Sequence, residues 1–215
     1  MANKSPYKDI NGMRLPGVTT ITGQELGWNK GILIDWANKK GLDGIETRAM
    51  VDDLADIGTL AHQFVLDQIK KVKTNTDAFS KDHIKKATNC LESYNNWAKN
   101  KVIEPILLEE RLISEKLKFG GTPDFYGKVD GIFTLTDYKT GRGIYDEYLI
   151  QVAGGYLVLL EELGHKVERI EILNIPRSAG ESFQVMTIPE DKWGYCKKIF
   201  LNCLDNYKTK KLLTD

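Results

Sequence analysis

Two carboxylates and one ammonium, Asp124, Asp137 and Lys139, lie close together on either side of Asp130-Gly131. Asp-Gly between β-prone runs is a strong signal for a two-residue hairpin loop, because such a loop needs φ > 0 at its central positions. With that loop, Val129 pairs with Ile132, and each step outward pairs positions whose numbers sum to 261. The register sets Asp124 opposite Asp137, about 4.5–5.5 Å apart at Cβ and on one face of the sheet. The period of two brings Lys139 to that face and turns Tyr138 to the other. Like charges opposed across a hairpin destabilise it, so the acid pair has no structural use. A divalent cation between the carboxylates removes the conflict. A surface hairpin with scattered charges is the reading that the pattern leaves open beside it.

The elements that must hold this hairpin follow from periodicity and punctuation. Residues 6–21 read as extended, with a turn at Asn11-Gly12 and a β-prone run after Pro16-Gly17. Asn29 signals the start of a short helix over 32–40 that stops at Gly41 and carries a Leu33, Trp36, Ala37 stripe. Trp28 and Trp36 read as core residues or as platforms for nucleobases. A second helix is predicted over 51–72, with Ala55, Gly58, His62, Val65, Leu66 and Ile69 on one face. His62 then points inward, and taken alone it reads as a hydrogen-bonded core histidine. Gly58, one turn earlier, leaves space beside it.

Residues 74–80 form a polar linker, and Ser80 caps a third helix that reaches residue 99. Lys81, Lys85 and Lys86 near its start offer contacts to phosphates or a solvated face. Residues 106–113 read as one strand with Glu109 and Glu110 in its middle, and alternation does not choose which of them faces a site. Past the hairpin come a Thr140-Gly141-Arg142-Gly143 loop, a helix over 145–163 that stops at Gly164, strands over 167–176 and 183–188, and a helix from Glu190. Trp193, Ile199, Phe200 and Leu204 of that last helix suit packing on the sheet. The order predicts an α/β fold: a mixed β-sheet flanked by helices, with a helical N-terminal lobe over 28–100 and a core over 104–215, in a single domain over 1–215.

Composition narrows the classes. Lys+Arg and Asp+Glu are 30 each, so any basic binding surface has to be local. Three cysteines, Cys90, Cys196 and Cys203, leave one unpaired in any disulfide scheme, which suits a reducing, cytoplasmic setting. The N-terminal residues show no apolar signal segment, and no apolar run approaches the ~18 residues of a membrane span. No membrane partner is expected.

At Gly121-Thr122-Pro123-Asp124 and Asp137-Tyr138-Lys139 the chain resembles the PD-(D/E)XK nuclease superfamily. Gly58-Thr59-Leu60-Ala61-His62 resembles the upstream histidine motif of its RecB-like and phage-type exonuclease branch. Leu108-Glu109 resembles that branch's strand glutamate, the spacing to Ser114 favouring Glu109 over Glu110. Gln151 resembles the helix glutamine that follows the lysine, and residues 14–21 and 33–37 are similar to segments of phage and mitochondrial single-strand exonucleases. The resemblance covers roughly residues 14–160. It departs where the branch has Gln-x-x-x-Tyr: Gly155 takes the tyrosine's place and Tyr156 comes one residue later. At 100° per residue Tyr156 is turned about 140° from Gln151. The cluster-bearing members need four cysteines, so no iron–sulfur cluster is expected.

The resemblance implies a restriction-endonuclease-like core and a metal-dependent DNA exonuclease of phage recombination or DNA turnover. DNA is the implied partner, with a recombination protein as a possible second one. Asp124, Asp137 and Lys139 are the implied catalytic group, and His62, Glu109, Asp124 and Asp137 the implied ligands of one or two Mg²⁺ or Mn²⁺ ions. Hard oxygen donors suit both ions, and Mn²⁺ accepts the imidazole more readily. Thr140, Arg142 and Gln151 are the implied contacts to the DNA backbone. A structure-selective or nicking endonuclease of the same fold and a catalytically silent DNA-binding module are the rival readings.

Overall fold

The structure is a computed structural model and describes residues 5–213. Its first feature is a small hairpin. Lys8 bridges Arg14, Gly12 sits at φ 78°, and the Asp9 carboxylate accepts the Asn11 and Met13 amides at 3.0 and 2.9 Å. The Asn11-Gly12 turn therefore forms as its residue types require. The β-prone run after it does not stay extended: α1 occupies Val18–Glu25. Val18 and Ile21, an i, i+3 pair, are buried with Thr22, and burial on a helical face overrides β-propensity here.

Helix α2 (Lys30–Leu42) starts just after Asn29 and runs two residues past 40. Its expected Leu33, Trp36, Ala37 stripe is not core, since no α2 residue is buried and Leu33 is 57% exposed. Helix α3 (Thr47–Lys70) ends in a left-handed Lys71. Helix α4 (Lys81–Ala98) is capped by Ser80, whose Oγ accepts the His83 amide at 3.1 Å.

The strands are β1 (Ile103–Leu108), β2 (Leu112–Ser114), β3 (Phe119–Gly121), β4 (Phe125–Val129) and β5 (Ile132–Lys139). The single strand expected over 106–113 is thus two. Glu109 takes φ 50° and its amide donates to the Asp124 carbonyl at 3.1 Å, which turns the chain out of the main sheet. β2 then pairs with β3 in a separate two-stranded ribbon. Next, α5 (Asp146–Leu149) runs through a π-helical segment (Ile150–Tyr156) into α6 (Leu157–Glu162), and Gly164 at φ 79° follows the end. Strands β6 (Arg169–Asn174) and β7 (Gln184–Thr187) and helix α7 (Glu190–Lys211) complete the described chain.

The main sheet has the order β1-β4-β5-β6-β7 and is mixed: β5 and β6 are parallel, and the other pairs are antiparallel. A parallel pair needs a crossover, which the π-bearing helix supplies. That helix, α1 and α7 share a core with Tyr126, Leu135, Ile170 and Ile172 on one face of the sheet. On the other face, Leu60, Ala61 and Val65 of α3 and Ala87, Cys90 and Tyr94 of α4 meet Phe125, Tyr138 and Leu173. The fold is α/β, with a mixed sheet between two helical layers. Each fully buried Leu or Ile contributes roughly 1.5–3 kcal/mol, so both layers hold the central β4–β5 hairpin firmly. α7 reaches this core by packing across the π-helical segment, with Phe200 fully buried beneath it.

Candidate active site

The hairpin loop has Asp130 at φ 55° and Gly131 at φ 81°, and the strands pair from Val129↔Ile132 to Phe125↔Thr136, the expected register. Asp124 lies one step past the last pair, in a bend between Pro123 and β4. It does not face Asp137 in a regular cross-strand pair. Its Oδ2 accepts the Tyr138 amide at 2.7 Å, and its Oδ1 lies 3.3 Å from His62 Nδ1. The hairpin thus carries Asp124 at its open end, where α3 comes down from one layer.

His62 is not on the core face of α3. That face is Ile57, Leu60, Ala61 and Val65, while His62 keeps a quarter of its side chain exposed at the rim of a cleft of about 600 Å³. Ala55, Gly58 and Thr59 line the same cleft from α3, and Glu109, Thr140 and Arg177 line it from the sheet side. A Cβ on Gly58 would sit 3.0 Å from Thr140 Oγ1, so the glycine keeps that wall open. The left-handed turn of Glu109 aims its carboxylate at the same point, and one donor atom each from His62, Glu109 and Asp124 lies within 4.8 Å of the others. Glu110, which alternation left as an alternative, is exposed.

Asp137 stands apart from that trio. It is 1% exposed, and its Oδ2 faces the Lys139 ammonium at 2.8 Å in a charge contact rather than a directed hydrogen bond. Lys139 Nζ also donates to Gln151 Oε1 at 3.1 Å and lies 4.7 Å from the centre of the Tyr148 ring. Gln151 Nε2 donates in turn to Tyr156 Oη at 2.9 Å. The expectation that Tyr156 turns away from Gln151 is therefore corrected. The helix is π-helical over Ile150–Tyr156, and i→i+5 hydrogen bonding brings residues five apart to one side.

The ionisable groups perturb one another. Burial raises the Asp137 carboxyl to about 6, with Asp124 adding to the rise and Lys139 opposing it. Burial would also raise Asp124, but His62 and Lys139 outweigh it and hold this carboxyl below its ordinary range. Burial would lower His62, and Asp124 reverses that, so the imidazole binds its proton more tightly than usual. Glu109 is raised by burial and by Asp124. Burial opposes the charge on Lys139, yet Asp137 and Asp124 raise it. His62 thus occupies the side of Asp124 where a metal ion would draw the same carboxylate.

Two carboxylates and an imidazole, with a further buried carboxylate behind them, fit a divalent ion of the Mg²⁺ or Mn²⁺ kind. Of the residues read from the sequence, His62, Glu109 and Thr140 line the cleft, Asp124 meets His62 and Glu109 within 4.8 Å, and Asp137, Lys139 and Gln151 form a linked row. Arg142 is not in the cleft; it lines a second pocket. Tyr7 supports the same region from the N-terminal hairpin. Its Oη is 3.0 Å from Thr122 Oγ1, and its ring lies where Gly17 and Gly120 lack a side chain, a Cβ on Gly120 falling 2.5 Å from Tyr7 Cγ. Nothing local in the sequence links positions 7 and 122; only the glycines hint that something large packs there. No protein-family model matches the chain, and no curated protein matches it.

Proposed function

We propose that the chain is a divalent-metal-dependent DNA exonuclease with a restriction-endonuclease-like core. The observation that carries this reading is the convergence of His62, Glu109 and Asp124 within 4.8 Å of one another, beside the Asp137–Lys139 pair, at the open end of the hairpin. The β4–β5 hairpin followed by a helical crossover to a parallel β6 supports the core assignment. A bound ion supplies positive charge to the phosphate oxygens and lowers the pKa of a water.

The chain's own groups do the rest. Asp124, whose carboxyl is held below its ordinary range, would hold the ion together with Glu109 and His62, each in its deprotonated form. Lys139 stays charged, because Asp137 and Asp124 raise its pKa. It therefore acts as a fixed cation for the developing charge on the phosphoryl group and not as a base. Gln151, itself held by Tyr156, sets the direction of the ammonium. Thr140, on the wall facing Gly58, offers a hydroxyl to the same phosphate.

The test uses end-labelled linear DNA and covalently closed circles, single- and double-stranded, with Mg²⁺, Mn²⁺ or EDTA. Linear DNA should be degraded only with metal, and circles spared. Asp137→Ala and Lys139→Ala should lose at least about a hundredfold in turnover with circular dichroism unchanged, and only the first should weaken metal binding. Wild-type turnover in either variant, or circles cut as fast as linear strands, overturns the assignment.

A further inference from the structure

A second pocket, of about 410 Å³, is lined by Arg142, Ser178, Gly180, Glu181 and Ser182. It adjoins the metal-ligand cleft at two places. Thr140 lines the cleft and Arg142 the pocket, two residues apart and so at most about 7 Å along the chain. Arg177 lines the cleft and Glu181 the pocket, and the two are joined by an ion pair in which the Arg177 amide and Nε also donate to Glu181 Oε2, at 2.9 and 3.3 Å. That clasp neutralises the only acid of the pocket.

The pocket is also built from below. Asn174, fully buried at the end of β6 and paired in register with Lys139, donates from Nδ2 to the Gly141 carbonyl at 3.0 Å and to the Ser182 carbonyl at 3.1 Å. One side chain thus pins the two loops that form the walls. Its Oδ1 is buried with no donor among the described residues. What remains open is the exposed Arg142 guanidinium, which feels the Glu181 charge but makes no hydrogen bond among the described residues, two serine hydroxyls that make no side-chain hydrogen bond among them, and a glycine. A net positive pocket of donors suits an oxyanion, and Arg is the side chain that grips a phosphate bidentately.

We propose that this pocket is a phosphate subsite, holding the backbone phosphate next to the one at the metal ligands. The proposal rests on the nuclease reading and adds a contact that the metal chemistry does not need. The test uses linear oligonucleotides in which the first or the second linkage from either end is a neutral methylphosphonate. Binding is read in Ca²⁺ by fluorescence anisotropy, and cleavage in Mn²⁺. One such substitution should weaken wild-type binding about tenfold, as expected for a charge-assisted contact. Arg142→Ala should bind the all-phosphate strand about tenfold more weakly and lose its sensitivity to that linkage, and Arg142→Lys should recover part of the loss. If Arg142→Ala is as sensitive as wild type at every linkage, or binds the all-phosphate strand as tightly, the subsite is refuted. If wild type binds strands with this pattern but cleaves none in any metal, the subsite stands and the nuclease reading fails.

Discussion

Metal binding should release protons at pH 6. Asp137, raised to about 6, carries about half a proton at pH 6 and only a few hundredths of one by pH 7.5. His62, whose proton Asp124 holds more tightly than usual, adds to that release when a cation takes the proton's place. A cation among His62, Glu109 and Asp124 must displace the imidazole proton, and its charge favours ionised Asp137 whether or not Asp137 is a ligand. The sign follows: affinity falls as pH drops through 6, with log K losing between one and two units per pH unit. The assay is calorimetric titration of Mn²⁺ at pH 6 in two buffers of different ionisation enthalpy. The observed enthalpies should differ by one to two times the difference between the buffers. His62→Asn should remove its share and Asp137→Asn the other half proton. Identical enthalpies in both buffers at pH 6 would mean that the groups are already deprotonated, or that the ion binds elsewhere, and would refute the reasoning.

Tyr156→Phe leaves the buried Gln151 amide without an acceptor, so urea unfolding should show a loss of about 1–3 kcal/mol. Turnover should fall with metal affinity held, and wild-type turnover would show that the row from Tyr156 to Lys139 is idle. Tyr7→Phe keeps the ring over Gly17 and Gly120 but drops the bond to Thr122, two residues before Asp124. Stability should fall by about 0.5–1.5 kcal/mol and metal affinity severalfold; a stability loss alone would make the N-terminal hairpin a brace. Gly127→Ala puts a Cβ 2.3 Å from the Glu104 carbonyl oxygen, where β1 and β4 meet at an irregular pair, and should cost at least about 2 kcal/mol in the same unfolding experiment. A cost below 0.5 kcal/mol would show that β1 shifts freely.

The hairpin was legible because its specification is local. An Asp-Gly loop and a period of two fix the pairs from Val129↔Ile132 to Phe125↔Thr136, and the expected Asp124–Asp137 pair fails only where the strand gives way to the bend at Asp124. Ser80 and Gly164 were legible for the same reason, as each satisfies the end of a helix with its own atoms or φ angle. The misreadings lie where partners far along the chain decide. Val18 and Ile21 are β-prone, yet they become a helical face because Gly155, with no side chain, lets them close on the π-helical segment; a Cβ there would sit 2.4 Å from Val18 Cγ1. Alternation could not choose between Glu109 and Glu110, because it assumed a strand. The choice is made by the left-handed turn at Glu109, which ends β1 and swings one carboxylate toward Asp124.

The Gln151–Tyr156 pair shows how one fixed assumption misleads. A period of 100° per residue turns the two apart, and the spacing reads as a lost contact. The chain instead absorbs the extra residue as a π-helical segment, and Gln151 and Tyr156 meet at 2.9 Å. The glycines explain why that is tolerated. A Cβ on Gly154 would lie 2.8 Å from the Cys196 carbonyl oxygen and from Phe200 Cβ, so α7 can approach the bulged turn only where side chains are missing. Gly154 and Gly155, costly inside an ordinary helix, here let α1 and α7 seal both sides of the widened turn. The same π-helical segment thus carries the packing of two helices and the row of hydrogen bonds that ends on Lys139. Restoring an ordinary helical period by deleting one residue would turn Tyr156 or Gln151 out of that row, and the two helices packed on it would lose their seat.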